Sequence, residues 1–280
     1  MTTLLYPSST NLHQSRNQLD ALPTPPPMGR FHQPYPFAQY VDDIVHGLEQ
    51  ANIVIHKEEY VTSHENMRLF GAIEVSIPSF QSPVLQGEYI PAHDTSTGHR
   101  YIVGLRGAHD QSIQRGICLG TQVMVCSNLC FSGNLGNLST KQTINIGSRL
   151  PGLIRDTISV LPEYQYINEK RFSLYKEAQL NQNQVNYLLI NLLRKNALSA
   201  PQVHKALKEW DNPSHDEHAQ YGPSAWRFFN ACTEALKPGG NNFNPHTLAD
   251  RSASLTALLD QCLHIHTVLQ PRLHHIESAA

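Results

Sequence analysis

Arg106, His109, Asp110, Ser112 and Asn128 form the most compact set of groups in the chain that could do chemistry. An imidazole titrates near neutrality, and a neighbouring carboxylate can orient it as a base. A guanidinium beside them could hold a phosphate through two parallel hydrogen bonds. Ser112 carries the hydroxyl of a nucleophile, but no nucleophile elbow surrounds it, and its two-residue spacing from Asp110 fixes no geometry. A loop fastened by its own hydrogen bonds explains the same residues without catalysis. In that reading Asp110 and Ser112 make the turn, and Asn128 is a buried amide reaching back to them. The structural reading is preferred for Asp110, Ser112 and Asn128, and no catalytic residue is assigned.

These residues need strands to position them. Tyr101, Val103 and Leu105 alternate with Ile102, Gly104 and Arg106, the two-residue period of a strand. A second strand is expected near Ser112–Leu119. Gln122–Phe131 is apolar on both faces, which suits a strand covered from both sides. Upstream, Phe37, Tyr40, Val41, Ile44, Val45 and Leu48 recur at helical spacing. Short strands fill most of residues 53–132, with a hairpin expected between Gln86–Ala92 and Arg100–Arg106. After Gly133 the pattern turns helical, clearest at Gln182–Asn196, where Val185, Leu188, Leu189, Leu192 and Leu193 share a stripe.

The expected class is α+β: an N-terminal, mostly antiparallel sheet with a flanking helix, then a helical C-terminal half. Residues 1–29 read as a flexible proline-rich arm, 30–146 as the sheet region and 147–280 as helices packed on the sheet. The apolar content of 40% is enough for a packed core.

The run GLRGAHDQSIQRGICLGTQVMVCSNLCFSG resembles the central motif of a phage- and plasmid-borne family of proteins of unknown function, domain of unknown function 932. Arg106, His109, Asp110, Cys126, Asn128, Leu129, Phe131 and Gly133 fit that motif, while Gly107-Ala108 departs from the Asn-Ser more usual there. Pro23-Thr24-Pro25 and the stretch Trp226–Glu234 are similar to the family's entry and its late helix. The resemblance implies a mobile-element setting and carries no settled activity with it.

Charge is uneven. Residues 1–99 hold four basic and ten acidic side chains, and residues 100–171 hold eight and four. A basic segment steers polyanions even on a near-neutral protein. Arg106, His109, Arg115, Lys141, Arg149 and Arg155 are the expected nucleic-acid contacts. Tyr164, Tyr166, Phe172 and Tyr175, interleaved with Lys170 and Arg171, have the composition of a base-stacking surface, and equally that of a helix with an aromatic core face. No P-loop, dinucleotide-binding or paired-carboxylate motif occurs. Sixteen histidines are present, His215 and His218 among them, but without the spacing of a known zinc motif, so no metal or cofactor is expected.

Five cysteines without a CxxC pair, no signal peptide and no membrane span suggest a reduced cytoplasmic protein. The function expected is non-enzymatic nucleic-acid binding of a phage or plasmid type, related to single-strand annealing. The plan of sheet followed by a long helix beside a basic linker has a fold-level analogy with phage single-strand annealing proteins. The alternative is an interaction protein that binds a host protein through its acidic N-terminal third and counters host defence. Single-stranded DNA, a host protein and a second copy of the chain are the partners considered, and a membrane is not among them.

Overall fold

The computed structural model describes residues 4–5, 12–81, 89–92, 99–123, 129–131, 138–237 and 245–265. In chain order these give β1 (Leu12–Gln14), α1 (Arg16–Asp20), α2 (Phe37–Gln50), β2 (Val54–Ser63), β3 (Arg68–Ser76), β4 (Phe80–Gln81), β5 (Tyr89–Ile90), β6 (His99–Ala108), β7 (Arg115–Val123), β8 (Leu129–Phe131) and β9 (Leu138–Thr140). The helices α3 (Ile146–Ser159), α4 (Leu161–Glu177), α5 (Gln182–Arg194), α6 (Ala200–Asp211), α7 (Asp216–Ala219), α8 (Ala225–Leu236) and α9 (Pro245–Cys262) follow. An antiparallel sheet in the N-terminal half, a flanking helix and a helical C-terminal half make the fold α+β.

The sheet runs β1-β2-β3-β6-β7, and β8 and β9 both pair with β7 beyond that. Its middle strands are covered on both faces. Tyr101, Ile102, Val103 and Leu105 of β6 are all fully buried, as are Ala72 and Ile73 of β3. The strand expected over Gln122–Phe131 is instead the end of β7 and the separate β8. Met124 to Asn128 lie outside the described residues. The expected hairpin partner of β6 is also different. β5 pairs with β4 in a small separate ladder, while β6 lies between β3 and β7.

Helix α2 lies on one face of the sheet. Tyr40 donates its hydroxyl to the Gly116 carbonyl on β7 at 2.8 Å. Where α2 crosses α3, residue 47 is glycine, and a Cβ there would come within 2.6 Å of the Ile158 Cδ1 and 3.4 Å of Ile154, so that the Ile158 side chain would have to shift. Pro151 falls inside α3, and Pro162 falls in the first turn of α4, where its missing N–H costs nothing. In the helical half, Arg171 Nε donates to Asp260 at 3.0 Å, a buried ion pair that joins α4 to α9.

The N-terminal segment corrects the expectation of a flexible arm. β1 extends the sheet as an edge strand on β2. Ser15 caps α1 with a capping box, and Leu19 is 1% exposed. The Leu4 and Leu5 amides both donate to Glu59 Oε2 at 2.9 Å, and both side chains are buried. The apolar residues Leu4, Leu5 and Leu19, spaced through a polar stretch, are what fasten it. Glu59→Ala therefore leaves two backbone donors without an acceptor. It should lower stability by about 1–2 kcal/mol in a denaturant titration. An unchanged midpoint would show that the N-terminal segment contributes nothing to the folded state.

Candidate nucleic-acid interface

The β6–β7 connection is a stapled loop. Asp110 Oδ1 accepts from the Ser112 amide at 2.9 Å and from its hydroxyl, and Oδ2 accepts from Arg68 Nε at 3.2 Å. Burial raises the Asp110 pKa, but Ser112 and Arg68 outweigh it and hold the carboxyl below its usual value. The His109 amide donates to the Met67 carbonyl at 2.8 Å, which joins this loop to the β2–β3 turn. Arg68 is the partner that the sequence did not suggest. Asn128, the partner it did suggest, lies outside the described residues. Ser112 bonds to the Asp110 carboxylate and not to His109, so the loop holds this serine in a turn and not in a Ser–His pair.

His109 and Arg115 are not surface groups. Arg115 is 0% exposed and His109 is 2% exposed. Both meet the ring of Phe37, His109 stacked at 4.0 Å between centroids and the Arg115 guanidinium 4.5 Å from the centroid. Tyr40 holds the guanidinium at 4.8 Å. Arg115 Nη2 donates to the Tyr35 carbonyl and, at 3.4 Å, to Gln142 Oε1. Gln142 also accepts from the Tyr35 amide at 2.9 Å and donates to the Ala108 carbonyl. Residue 107 is glycine because a Cβ would sit 2.5 Å from the Arg115 Cδ. Arg115 thus ties together three separate stretches: the entry to α2, β7, and the exit from β9. Burial lowers its pKa to about 10. Burial lowers that of His109 to about 4, and Arg115 and His32 add to the shift. Neither residue can reach a phosphate without unfolding this corner, so both are withdrawn from the expected interface.

The remaining basic residues are accessible. Lys141, Arg149 and Arg155 are exposed, and Arg106 is half-buried on β6. The ledge beside Lys141 is built by two short segments. His32 bridges Thr143, the Ile144 amide donates to the Phe31 carbonyl at 3.1 Å, and the Gln33 amide donates to the Gln142 carbonyl at 3.2 Å. This pairing presents Phe31, 66% exposed, beside Ile144, 58% exposed, and Met28 follows a few residues away at 59%. Arg30 lies 5.4 Å from the Phe31 ring centroid. Helix α3 starts directly after Ile144 and Asn145, with no acidic residue in its first turn. Arg149 is in that turn, and Arg155 lies about 9 Å further along the axis.

Of the aromatics expected as a stacking surface, Tyr164, Phe172 and Tyr175 are in the core, and Arg171 is consumed by Asp260. Phe31, an exposed ring beside these cations, was hidden in the sequence because Met28-Gly29-Arg30-Phe31 directly follows a proline run that read as a linker. The signal was there: two large apolar residues flank an arginine where a linker has no use for them.

No described helix is long and apolar enough to cross a membrane. No family model, no curated protein and no solved structure matches the chain, so the resemblance to the phage- and plasmid-borne family rests on its motif residues alone.

Proposed function

We propose that this protein binds single-stranded nucleic acid without catalysing a covalent step, in the mobile-element setting that its central motif resembles. The carrying observation is the ledge: an exposed phenylalanine with apolar neighbours, framed by Arg30, Lys141 and Arg149. A base can stack on Phe31 while the cations track phosphates, and such stacking is sequence-tolerant. Single strands expose the faces of their bases and duplexes do not, so the ledge favours the former.

Binding to single- and double-stranded oligonucleotides across a salt series tests this. Affinity for single strands should fall with salt at a slope of about 0.7 per neutralised phosphate. Lys141→Ala with Arg149→Ala should flatten that slope, and Phe31→Ala should cost about tenfold in affinity with the slope unchanged. Absence of binding at low salt, or variants that behave like the parent, would move the function to the second reading.

That reading is an interaction protein of a mobile element with a host protein as its partner. The stripe of Tyr187, Ile190 and Leu193 on α5 favours it, being 54%, 51% and 39% exposed at three-residue intervals on one helix face.

A further inference from the structure

The turn that carries Phe31 is closed by one imidazole. The His32 amide donates to the Gly29 carbonyl at 3.2 Å, and the Met28 amide donates to His32 Nδ1 at 2.9 Å. Arg30 and Phe31 lie within this ring of bonds. Met28 and Phe31 are largely exposed, but His32 is 5% exposed. A ring nitrogen that accepts an N–H has a free lone pair, so Nδ1 carries no proton and the proton of the neutral ring sits on Nε2. We infer that His32 is a protonation switch of the ledge: the neutral imidazole closes the Met28–His32 turn and holds Phe31 in place, and the imidazolium releases it.

Three features make the closed turn a poor host for the imidazolium. The first is the Met28 bond itself. A proton on Nδ1 would set N–H against N–H, and the acceptor that closes the turn would be gone. The second is Nε2, which is buried and meets no acceptor among the described residues, so the second N–H of the cation gains nothing there. The third is the charge of the corner. Arg115 on β7 is fully buried against Gln142, Arg30 lies in the turn, and Lys141 is next to Gln142, whose carbonyl holds the Gln33 amide. His109 at the end of β6 and His32 disfavour each other's charge. The nearby carboxylates are committed, Asp110 to Ser112 and Arg68, and Asp43 on α2 to the Tyr35 hydroxyl at 2.6 Å. Among the described residues no carboxylate pairs with His32. A protonated ring is therefore better served by water, and it reaches water by swinging out of the turn.

Acid leaves the lysines and arginines of the ledge charged. Phosphate tracking by Arg30, Lys141 and Arg149 therefore persists while the contribution of Phe31 is lost. This effect on single strands rests on the ledge being a nucleic-acid site, whereas the switch itself does not.

The full chain has four methionines, so ¹⁵N-methionine labelling gives a sparse amide spectrum in which Met28 is identified by its loss in Met28→Leu. Without nucleic acid, the Met28 amide proton should move upfield between pH 7.5 and pH 5 as its hydrogen bond is given up. In His32→Asn, whose Oδ1 takes the place of Nδ1 as acceptor and does not titrate, the resonance should stay where it is. A Met28 resonance that does not titrate in the parent, or that titrates alike in His32→Asn, overturns the inference. Binding gives the second readout. The parent should bind single strands about tenfold more tightly than Phe31→Ala at pH 7.5 and less than about twofold more tightly at pH 5, with the salt slope retained. His32→Asn should keep the tenfold advantage of Phe31 at both values. A Met28 amide that titrates in a protein that binds no single strand at either pH supports the switch and refutes the nucleic-acid reading. Binding in which Phe31 counts equally at both pH values supports that reading and overturns the switch.

Discussion

Arg115→Ala should destabilise the fold by roughly 3–5 kcal/mol. The side chain is fully buried, packs on Phe37 and Tyr40, and supplies a donor to the Tyr35 carbonyl and to Gln142. Truncation leaves a cavity and strips those acceptors together. Arg115→Met separates the two causes. It fills most of the volume and removes a buried cation whose Nε and Nη1 meet no acceptor among the described residues. Replacing a poorly compensated buried charge by an apolar side chain is often close to neutral. The methionine variant should therefore melt much nearer to the parent than the alanine variant does. Nucleic-acid binding by the folded methionine variant should also be unchanged, because Arg115 lies beneath the surface. Equal losses for both variants would mean that the guanidinium hydrogen bonds, rather than its bulk, hold the corner together. A loss of binding with no loss of stability would return Arg115 to the interface.

Arg115 also marks where sequence patterns stop being informative. Its neighbours along β7 alternate correctly, and nothing local separates a basic residue on an open face from one roofed by a helix. The roof is α2, whose stripe of Phe37, Tyr40, Val41, Ile44 and Leu48 was legible from its spacing. What the spacing could not show was which sheet position that stripe covers. The missing information is a long-range pairing, of which Tyr40 on Gly116 is one instance. The same reasoning applies to β5. Its local sequence suits a hairpin with β6, but β6 is already paired on both sides by β3 and β7. The helices of the second half were easier. Asn181 with Gln184 and Ser199 with Gln202 close their first turns locally, and Pro162 and Pro201 sit where helices begin.

For the candidate site, local chemistry was legible and exposure was not. Asp110 and Ser112 make the turn that their side chains favour. Lys141, Arg149 and Arg155 reach solvent as polar residues generally do. His109 was misplaced for the same reason as Arg115. Its neighbours Ala108 and Asp110 suggest an open loop, but the backbone turns its ring under Phe37 before the chain emerges.

That burial makes His109 an acid-sensitive point. With a folded pKa of about 4, against about 6.5 in the unfolded chain, the unfolded state takes up a proton in the interval and the folded state does not. Stability should therefore fall as pH drops from about 6.5 to 4, and this contribution should level off below that. The loss attributable to His109 is about 3 kcal/mol. The physical cause is burial, reinforced by the Arg115 charge and by His32, and opposed by Asp110 and Gln142. His109→Asn should remove that share of the slope, since the amide has nothing to titrate in this range. His218, whose pKa burial also lowers, should leave a residual slope of the same sign. Asp43 acts the other way: burial raises its pKa, so the folded state binds its proton more readily and gains stability as pH falls. Denaturant titrations of parent and His109→Asn at several values between pH 4 and 7.5 isolate the His109 share as the difference between the two curves. Parallel curves would mean that the imidazole is solvated in the folded state, and that the corner beneath Phe37 is open to water.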